Sequence, residues 1–345
     1  MKLSDLAQAL NQSQNAALVV GAGISYDMGI PLGYQIPMLY GEKHPHLLKK
    51  YGLDIAWQQV ANAASADRWK HEYHFVVALL TALIGSIELQ QTFVDWLSEM
   101  KNMMGSPSDT HAAFIIAWFN RVFRHLVTTN WDFLLEYQVD AIYHPPEISE
   151  GIYPDVFDPV THIFTDGRST IIDPERLYFL NSIDEENYFW ESRWDIVTQR
   201  SDLKNIQNWT RSLWKIHGSP FFLACPKCGG FSRWHHTEKR TVGDPCPQHP
   251  DETLQPEIIF WGQGIDTADA LVWKRLRGRL QRSDMIVACG FSGSGSDAYL
   301  REVVENHQNA WLVNPDTGDW DTDRVRHISA GASEFATMLI DEFLT

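Results

Sequence analysis

The stretch Ala16-Ala17-Leu18-Val19-Val20-Gly21-Ala22-Gly23-Ile24-Ser25 decides the fold: five apolar residues run straight into a glycine pair. An apolar run of that length with no polar interruption reads as a strand buried on both faces, and such strands belong to parallel sheets. Glycines at its carboxyl end let backbone N–H groups come close to an anion, in the order strand, glycine turn, helix expected of a phosphate-binding crossover. A glycine pair there is equally often a plain tight turn. A second turn of the same kind, Gly290-Phe291-Ser292-Gly293-Ser294-Gly295-Ser296, also follows a buried strand, and two such turns in one sheet point toward a dinucleotide.

Working outward, further buried strands are predicted at 125–129, 212–216, 257–260, 284–289 and 310–313. Helices are predicted at 4–10 and 111–123, and across 34–106, where Phe75, Leu79, Leu80, Leu83, Ile84 and Ile87 recur at three- and four-residue spacing and read as core. The alternation predicts an α/β protein: an open, mostly parallel, Rossmann-like sheet flanked by helices, with a helical insertion and a small zinc ribbon. All 345 residues read as one domain carrying a helical subdomain (34–106), an insertion rich in acidic and aromatic residues (137–211) and a zinc-ribbon subdomain (222–252). Between positions 140 and 200 the insertion holds 13 acidic and 4 basic residues, over half of the chain's net charge of −16. Neither it nor the cysteine-bearing stretch reads as part of the sheet.

A charge of −16 repels polyanions, which argues against direct binding to nucleic acid or to acidic membranes. The 44% apolar share, with 14 Trp, is that of a chain that buries a core. No stretch approaches 18 uninterrupted apolar residues and Met1 to Asp5 has no secretory character, so the expected location is the cytoplasm.

Three groups of residues carry chemistry. Asn130 and Asp132 follow the strand 125–129 and fall at the sheet edge that faces a ligand crevice; Asp132 reads equally as a helix cap. His217, before Gly218, follows another strand, as a base or as a satisfied structural residue. Cys225-Pro226-Lys227-Cys228 and, after 17 residues, Cys246-Pro247-Gln248-His249 have the paired-knuckle spacing of a structural zinc site. His235 and His236 compete with His249 as fourth ligand, and a shell filled by protein makes the metal structural.

In their order along the chain these pieces resemble the Sir2 (sirtuin) family, which consumes NAD on a Sir2/DHS-like sheet. The residues that carry the resemblance are Gly21-Ala22-Gly23-Ile24-Ser25 with Gly29-Ile30-Pro31, then Thr128-Thr129-Asn130-Trp131-Asp132, His217-Gly218, the two knuckles, Pro256-Glu257-Ile258-Ile259-Phe260-Trp261-Gly262, Gly290-Phe291-Ser292 and Val313-Asn314. The resemblance implies NAD, as substrate, held by Gly21, Ala22, Gly23, Ile24, Ser25, Pro31, Thr129, Gly290, Phe291, Ser292 and Asn314. It implies that Asn130 and Asp132 serve the nicotinamide ribose, that His217 is the base, and that the nicotinamide–ribose bond is cleaved.

The sequence also departs from the deacylating sirtuins. Leu32-Gly33-Tyr34 stands where those enzymes continue with Asp-Phe-Arg, Thr129 replaces a Gln, the Glu after Phe-Gly is displaced to Gln263, and the 137–211 insertion fills a stretch that is short in them. These departures resemble the bacterial Sir2-like NAD hydrolases of antiphage defence, which commonly work as oligomers or with a protein partner. The zinc ribbon points the other way, since many of those hydrolases lack one. Three readings follow: an NAD glycohydrolase, an NAD-dependent protein-lysine deacylase, and a non-catalytic sensor of NAD or ADP-ribose.

Overall fold

The computed structural model describes residues 1–26, 29–33, 35–64, 67–103, 108–132, 134–135, 138, 170–172, 212–225, 227, 231–232, 242–246, 249–258, 270–294 and 297–344. Cys228, Tyr34, His235, His236, Gly295, Ser296, the 259–269 stretch with Phe260, Trp261, Gly262 and Gln263, and nearly all of the 137–211 insertion lie outside these residues.

The main sheet has seven strands. Six are parallel: β1 (Ala16–Val20), β2 (His125–Thr128), β4 (Ser212–Lys215), β8 (Met285–Cys289), β9 (Ala310–Asn314) and β10 (Arg326–Ser329). Their order is β10-β9-β8-β1-β2-β4, and β3 (Thr170–Ile172) closes the β4 edge antiparallel. The strand order reverses around β1, which pairs with β2 on one side and β8 on the other. In an open parallel sheet, ligands bind beyond the carboxyl ends of the strands at such a reversal.

Burial follows the two-residue period of a strand. Leu18, Val20, Leu126, Leu213, Val287 and Val313 pack on one face with α1 (Leu3–Gln12), α7 (Asp109–Phe119) and α10 (Ala332–Leu339). Ala17, Val19, Val127, Trp214, Ile286 and Leu312 pack on the other with α8 (Ala270–Gln281) and α9 (Ala298–Glu305). The sheet is thus covered twice, which is why the sequence of its central strands is apolar without alternation. Five helices, α2 (Gln35–Lys43), α3 (Pro45–Lys50), α4 (Asp54–Asn62), α5 (Arg68–Gly85) and α6 (Ile87–Met103), gather around a separate core of Tyr40, Phe75, Leu79, Leu83, Phe93 and Trp96. Among the described residues no single helix is long and apolar enough to cross a membrane.

Three sequence expectations are corrected. The strand expected at 257–260 is β7 (Gln255–Ile258), and it belongs to a second, antiparallel sheet of order β6-β5-β7 with β5 (Gly218–Ala224) and β6 (Phe231–Ser232). Pro256 has no N–H to donate, so the strand sits at an edge. Second, the insertion and the cysteine-bearing stretch each supply a strand, β3 and β6, both short edge strands whose pairing no periodicity announces. Third, among the described residues no α-helix follows the first glycine turn directly: Ala22–Ile24 make one 3₁₀ turn and α2 starts at Gln35. The edge strand β10 was not expected at all, because Arg-His-Ile-Ser buries only its isoleucine.

The carboxyl ends of β1 and β8 interlock. Gly23 N–H donates to Gly290 O at 2.9 Å, and Gly21 N–H to Cys289 O at 3.3 Å. A Cβ on Gly23 would lie 2.7 Å from Gly290 Cα, one on Gly21 2.8 Å from Gly290 O, and one on Gly290, where φ is +58°, 2.7 Å from Ile24 N. These glycines are required by turn-against-turn packing before any ligand is considered. Gly29 shares the left-handed backbone, at φ +77°, but a Cβ there meets nothing within 4 Å among the described residues. Gly290→Ala is therefore expected to cost about 2–4 kcal/mol, the backbone penalty plus the overpacking, and Gly29→Ala only about 1–2 kcal/mol. Urea unfolding of both variants measures this, and equal losses would contradict the interlock.

Candidate functional site

Parallel register brings the candidate residues to one level. Val20 stands opposite both Thr128 and Cys289, Thr128 opposite Lys215, and Cys289 opposite Val313. One or two residues further, Gly21, Asn130, His217, Gly290 and Asn314 therefore leave the sheet together along its carboxyl edge. Thr129 N–H still donates to Val20 O and Ile216 N–H to Thr128 O, so the ladder continues up to the site.

The centre of the site is Ser25, whose side chain the 3₁₀ turn delivers into a buried position. Its Oγ donates to Asp132 Oδ2 at 3.0 Å and accepts from Asn130 Nδ2 at 3.2 Å. His111 Nε2 lies 3.1 Å from the same oxygen. A hydroxyl has one proton to give, and the carboxylate takes it, so His111 donates from Nε2 and its Nδ1 accepts from the Ser108 hydroxyl, 2.8 Å away. Burial holds the His111 imidazole below its usual range, with the Asp132 charge opposing, which agrees with a neutral ring. Asp132 Oδ1 accepts Leu134 N–H at 3.1 Å, so Asp132 both caps the following turn and joins the network.

Asn130 is fixed from two sides, by Ser25 and by its own N–H to Thr128 Oγ1 at 3.1 Å. Its Oδ1 is buried and has no hydrogen-bond partner among the described residues. A buried amide oxygen left unpaired costs about 1–3 kcal/mol, a penalty that a ligand hydroxyl or a bound water removes. Trp131, between the two, packs against the helical core of α2 to α6 and ties the segment to it.

His217 occupies the joint between β4 of the main sheet and β5 of the small one, and it is buried. On the far side, Asn314 Nδ2 donates to Phe291 O at 3.0 Å and Trp320 Nε1 to the same oxygen at 3.2 Å, while the Phe291 ring packs edge-on against Trp320. Ser292 is exposed, its Oγ 3.0 Å from that of Ser294. Pro31 is half-buried in the loop beyond the first turn. The N–H groups of Gly21, Gly23, Ile24 and Ser25 already donate within the protein, so Ala22 N–H is the amide of that turn with no acceptor among the described residues. This narrows the anion cradle read from the sequence to one amide.

In a separate cluster, one ligand atom from each of Cys225, Cys246 and His249 lies within 4.8 Å of the others. Cys225 Sγ is 3.9 Å from His249 Nδ1, near the roughly 3.6 Å ligand–ligand edge of a tetrahedral Cys/His metal shell. Both thiols are buried beside Val94, Val242 and Leu254, and the Cys246–Glu252 turn closes through Cys246 N–H to Glu252 O at 2.9 Å. Of the histidines that compete in the sequence, His249 is the one among the described residues that joins the two thiols.

Sequence reasoning missed Ser108, His111 and the linking role of Ser25. His111 reads as the start of an amphipathic helix; the signal that was there is a histidine in an otherwise apolar helix, and its partner is 86 residues away.

No family model and no curated protein matches the chain in sequence. Solved structures match in fold. A Sir2 homologue in complex with NAD superposes with a TM-score of 0.55 at 15% identity, over 98% of this chain and 93% of that one. A serine-to-alanine mutant of a Sir2 homologue with ADP-ribose gives 0.55 and 15% over 98% and 95%. A histidine-to-asparagine mutant with ADP-ribose gives 0.54 and 14% over the same shares. The fold of this chain is that of Sir2 homologues, as the motif order implied.

Ser25→Ala deprives His111 Nε2–H, the Asn130 amide and one Asp132 oxygen of their shared partner. It is expected to lower stability by about 1–3 kcal/mol in urea unfolding; an unchanged midpoint would show that the three contacts are not made in solution.

Proposed function

We propose that this chain binds NAD at the carboxyl edge of the main sheet and cleaves its nicotinamide–ribose bond, with water as the acceptor. The observation that carries the reading is the Ser25 network, which holds the Asn130 amide and the Asp132 carboxylate side by side and leaves Asn130 Oδ1 buried with no partner among the described residues. The Sir2 fold supports it, because the neighbours of that fold were solved with NAD and ADP-ribose.

Cleavage breaks the C1′–N bond, and the bonding pair leaves with nicotinamide, neutralising the pyridinium. The ribosyl group left behind has oxocarbenium character, and a fixed dipole and a carboxylate lower the energy of that cation. Asn130 Oδ1 accepts a hydrogen bond from the attacking water and Asp132 keeps the amide oriented through Ser25. His217 removes the proton as water adds to C1′, so the products are ADP-ribose, nicotinamide and one proton. In a bacterial cell this depletes NAD, the outcome that the departures at Leu32-Gly33-Tyr34 and Thr129 resemble in antiphage hydrolases. The same resemblance carries the expectation of an oligomer or a protein partner.

A second reading, an NAD-dependent protein-lysine deacylase, is favoured by the Cys225, Cys246 and His249 cluster, since a metal knuckle is a feature of deacylating sirtuins and is lacking in many of the hydrolases. Zinc fits these donors, with Cys228 as the fourth ligand by sequence. Bound there it supplies a cross-link between the two knuckles.

The pure protein with NAD is expected to release nicotinamide and ADP-ribose without any peptide, and Asn130→Ala and His217→Ala are expected to lower the rate at least about 100-fold. Acyl-ADP-ribose formed only when an acetyl-lysine peptide is present would favour the deacylase, and binding without any product the sensor. Elemental analysis is expected to find one zinc per chain, lost in Cys225→Ser together with thermal stability. A folded, fully active Cys225→Ser free of zinc would refute the structural-metal reading.

A further inference from the structure

His217 and Asp297 meet across the crevice. Nε2 and Oδ1 are 2.9 Å apart, with the side chains 7% and 16% exposed, and the two residues come from different parts of the sheet. His217 follows β4 by two residues, whereas Asp297 stands at the N-terminal boundary of α9, seven residues after β8 gives way to Gly290. In the order β8-β1-β2-β4 those strand ends are three inter-strand steps apart, about 14 Å. Seven residues can span about 23 Å, so the distance is within reach. The cap itself does not explain the carboxylate: Asp297 makes no side-chain capping bond to α9. Nor do Nε2 and Oδ1 form an aligned hydrogen bond with each other or with any other described group. The imidazole and the half-buried carboxylate are thus in contact but out of line, and hydrogen bonds between catalytic groups are commonly long or misaligned in the free enzyme and tighten in the complex.

We propose that Asp297 is a positioning residue for His217: its carboxylate accepts the Nε2–H, fixes the tautomer and turns the unprotonated Nδ1 toward the water or ribose hydroxyl that the base must deprotonate. The logic is that of a carboxylate orienting a general-base imidazole, in which the carboxylate itself stays charged and never carries the proton. The inference rests on the reading of His217 as the base for NAD cleavage. The tautomer can be observed without it.

Asp297→Asn tests the proposal, since asparagine caps a helix as well as aspartate does and the fold should survive. Its amide offers the ring a donor as readily as an acceptor, so the tautomer is no longer held. With ¹⁵N-labelled histidine and His217→Ala to assign the resonance, NMR of the wild type should show His217 protonated at Nε2, and Asp297→Asn should shift the populations toward Nδ1–H. In turnover, Asp297→Asn is expected to lose 10- to 100-fold in kcat with KM for NAD within about threefold, and Asp297→Glu to recover part of it. The double variant Asp297→Asn, His217→Ala should be no slower than His217→Ala alone. An Nε2–H tautomer in an enzyme that does not cleave NAD would leave the pairing standing and remove the reading of the reaction. A tautomer and kcat unchanged in Asp297→Asn, or losses that multiply in the double variant, would overturn the pairing.

Discussion

The closest constraint in this molecule is the approach of two backbone turns, those that end β1 and β8. Three glycines, Gly21, Gly23 and Gly290, meet with no room for a methyl group between them, and the hydrogen bond from Gly23 N–H to Gly290 O locks the contact. Everything at the carboxyl edge is placed from there. The 3₁₀ turn that starts at Ala22 aims Ser25 inward; Ser25 holds Asn130 and Asp132; and the chain leaving Gly290 carries Asp297 to His217. A side chain at any of the three glycines would move the groups that follow it.

That constraint changes the meaning of the glycine pair. A strand followed by Gly-Ala-Gly reads as a cradle for phosphate, but four of the turn's amides are used within the protein, and among the described residues only a 3₁₀ turn, not an α-helix, follows the strand directly. The site's polar character comes from side chains that converge from several elements, namely Ser25, Ser108, His111, Asn130 and Asp132. Among these the buried oxygen of Asn130 is the acceptor left for a ligand among the described residues. Burial favours a neutral imidazole at His111, which donates into the network and adds no positive charge beside Asn130.

What the sequence made legible follows from burial. Strands β1, β8 and β9 are covered on both faces and almost wholly apolar, and β2 and β4 have apolar centres, so all five can be found by eye; β3 and β10 are edges, where Thr170 and Arg326 carry no such mark, while the strand expected at 257–260 is the edge β7 of the second sheet. Asn130, Asp132 and His217 were legible because each follows a readable strand and parallel register puts strand ends at one level. Ser108, His111 and Asp297 were not: His111 meets Ser25 86 positions away, Asp297 meets His217 across 80 positions, and Ser108 enters the network through His111. Cys225, Cys246 and His249 were legible by spacing alone, and their ligand atoms do converge.

The central claim is that the Asn130 amide, with Asp132 behind it, sits under the nicotinamide ribose. A crystal structure with a carbocyclic, non-cleavable NAD analogue tests it directly. The expected result is the pyrophosphate beside the Ala22 N–H and the C1′ position of the nicotinamide-side ring within reach of a water held by Asn130 Oδ1. An analogue bound elsewhere on the sheet, or one whose nicotinamide end points away from Asn130 and His217, would contradict it.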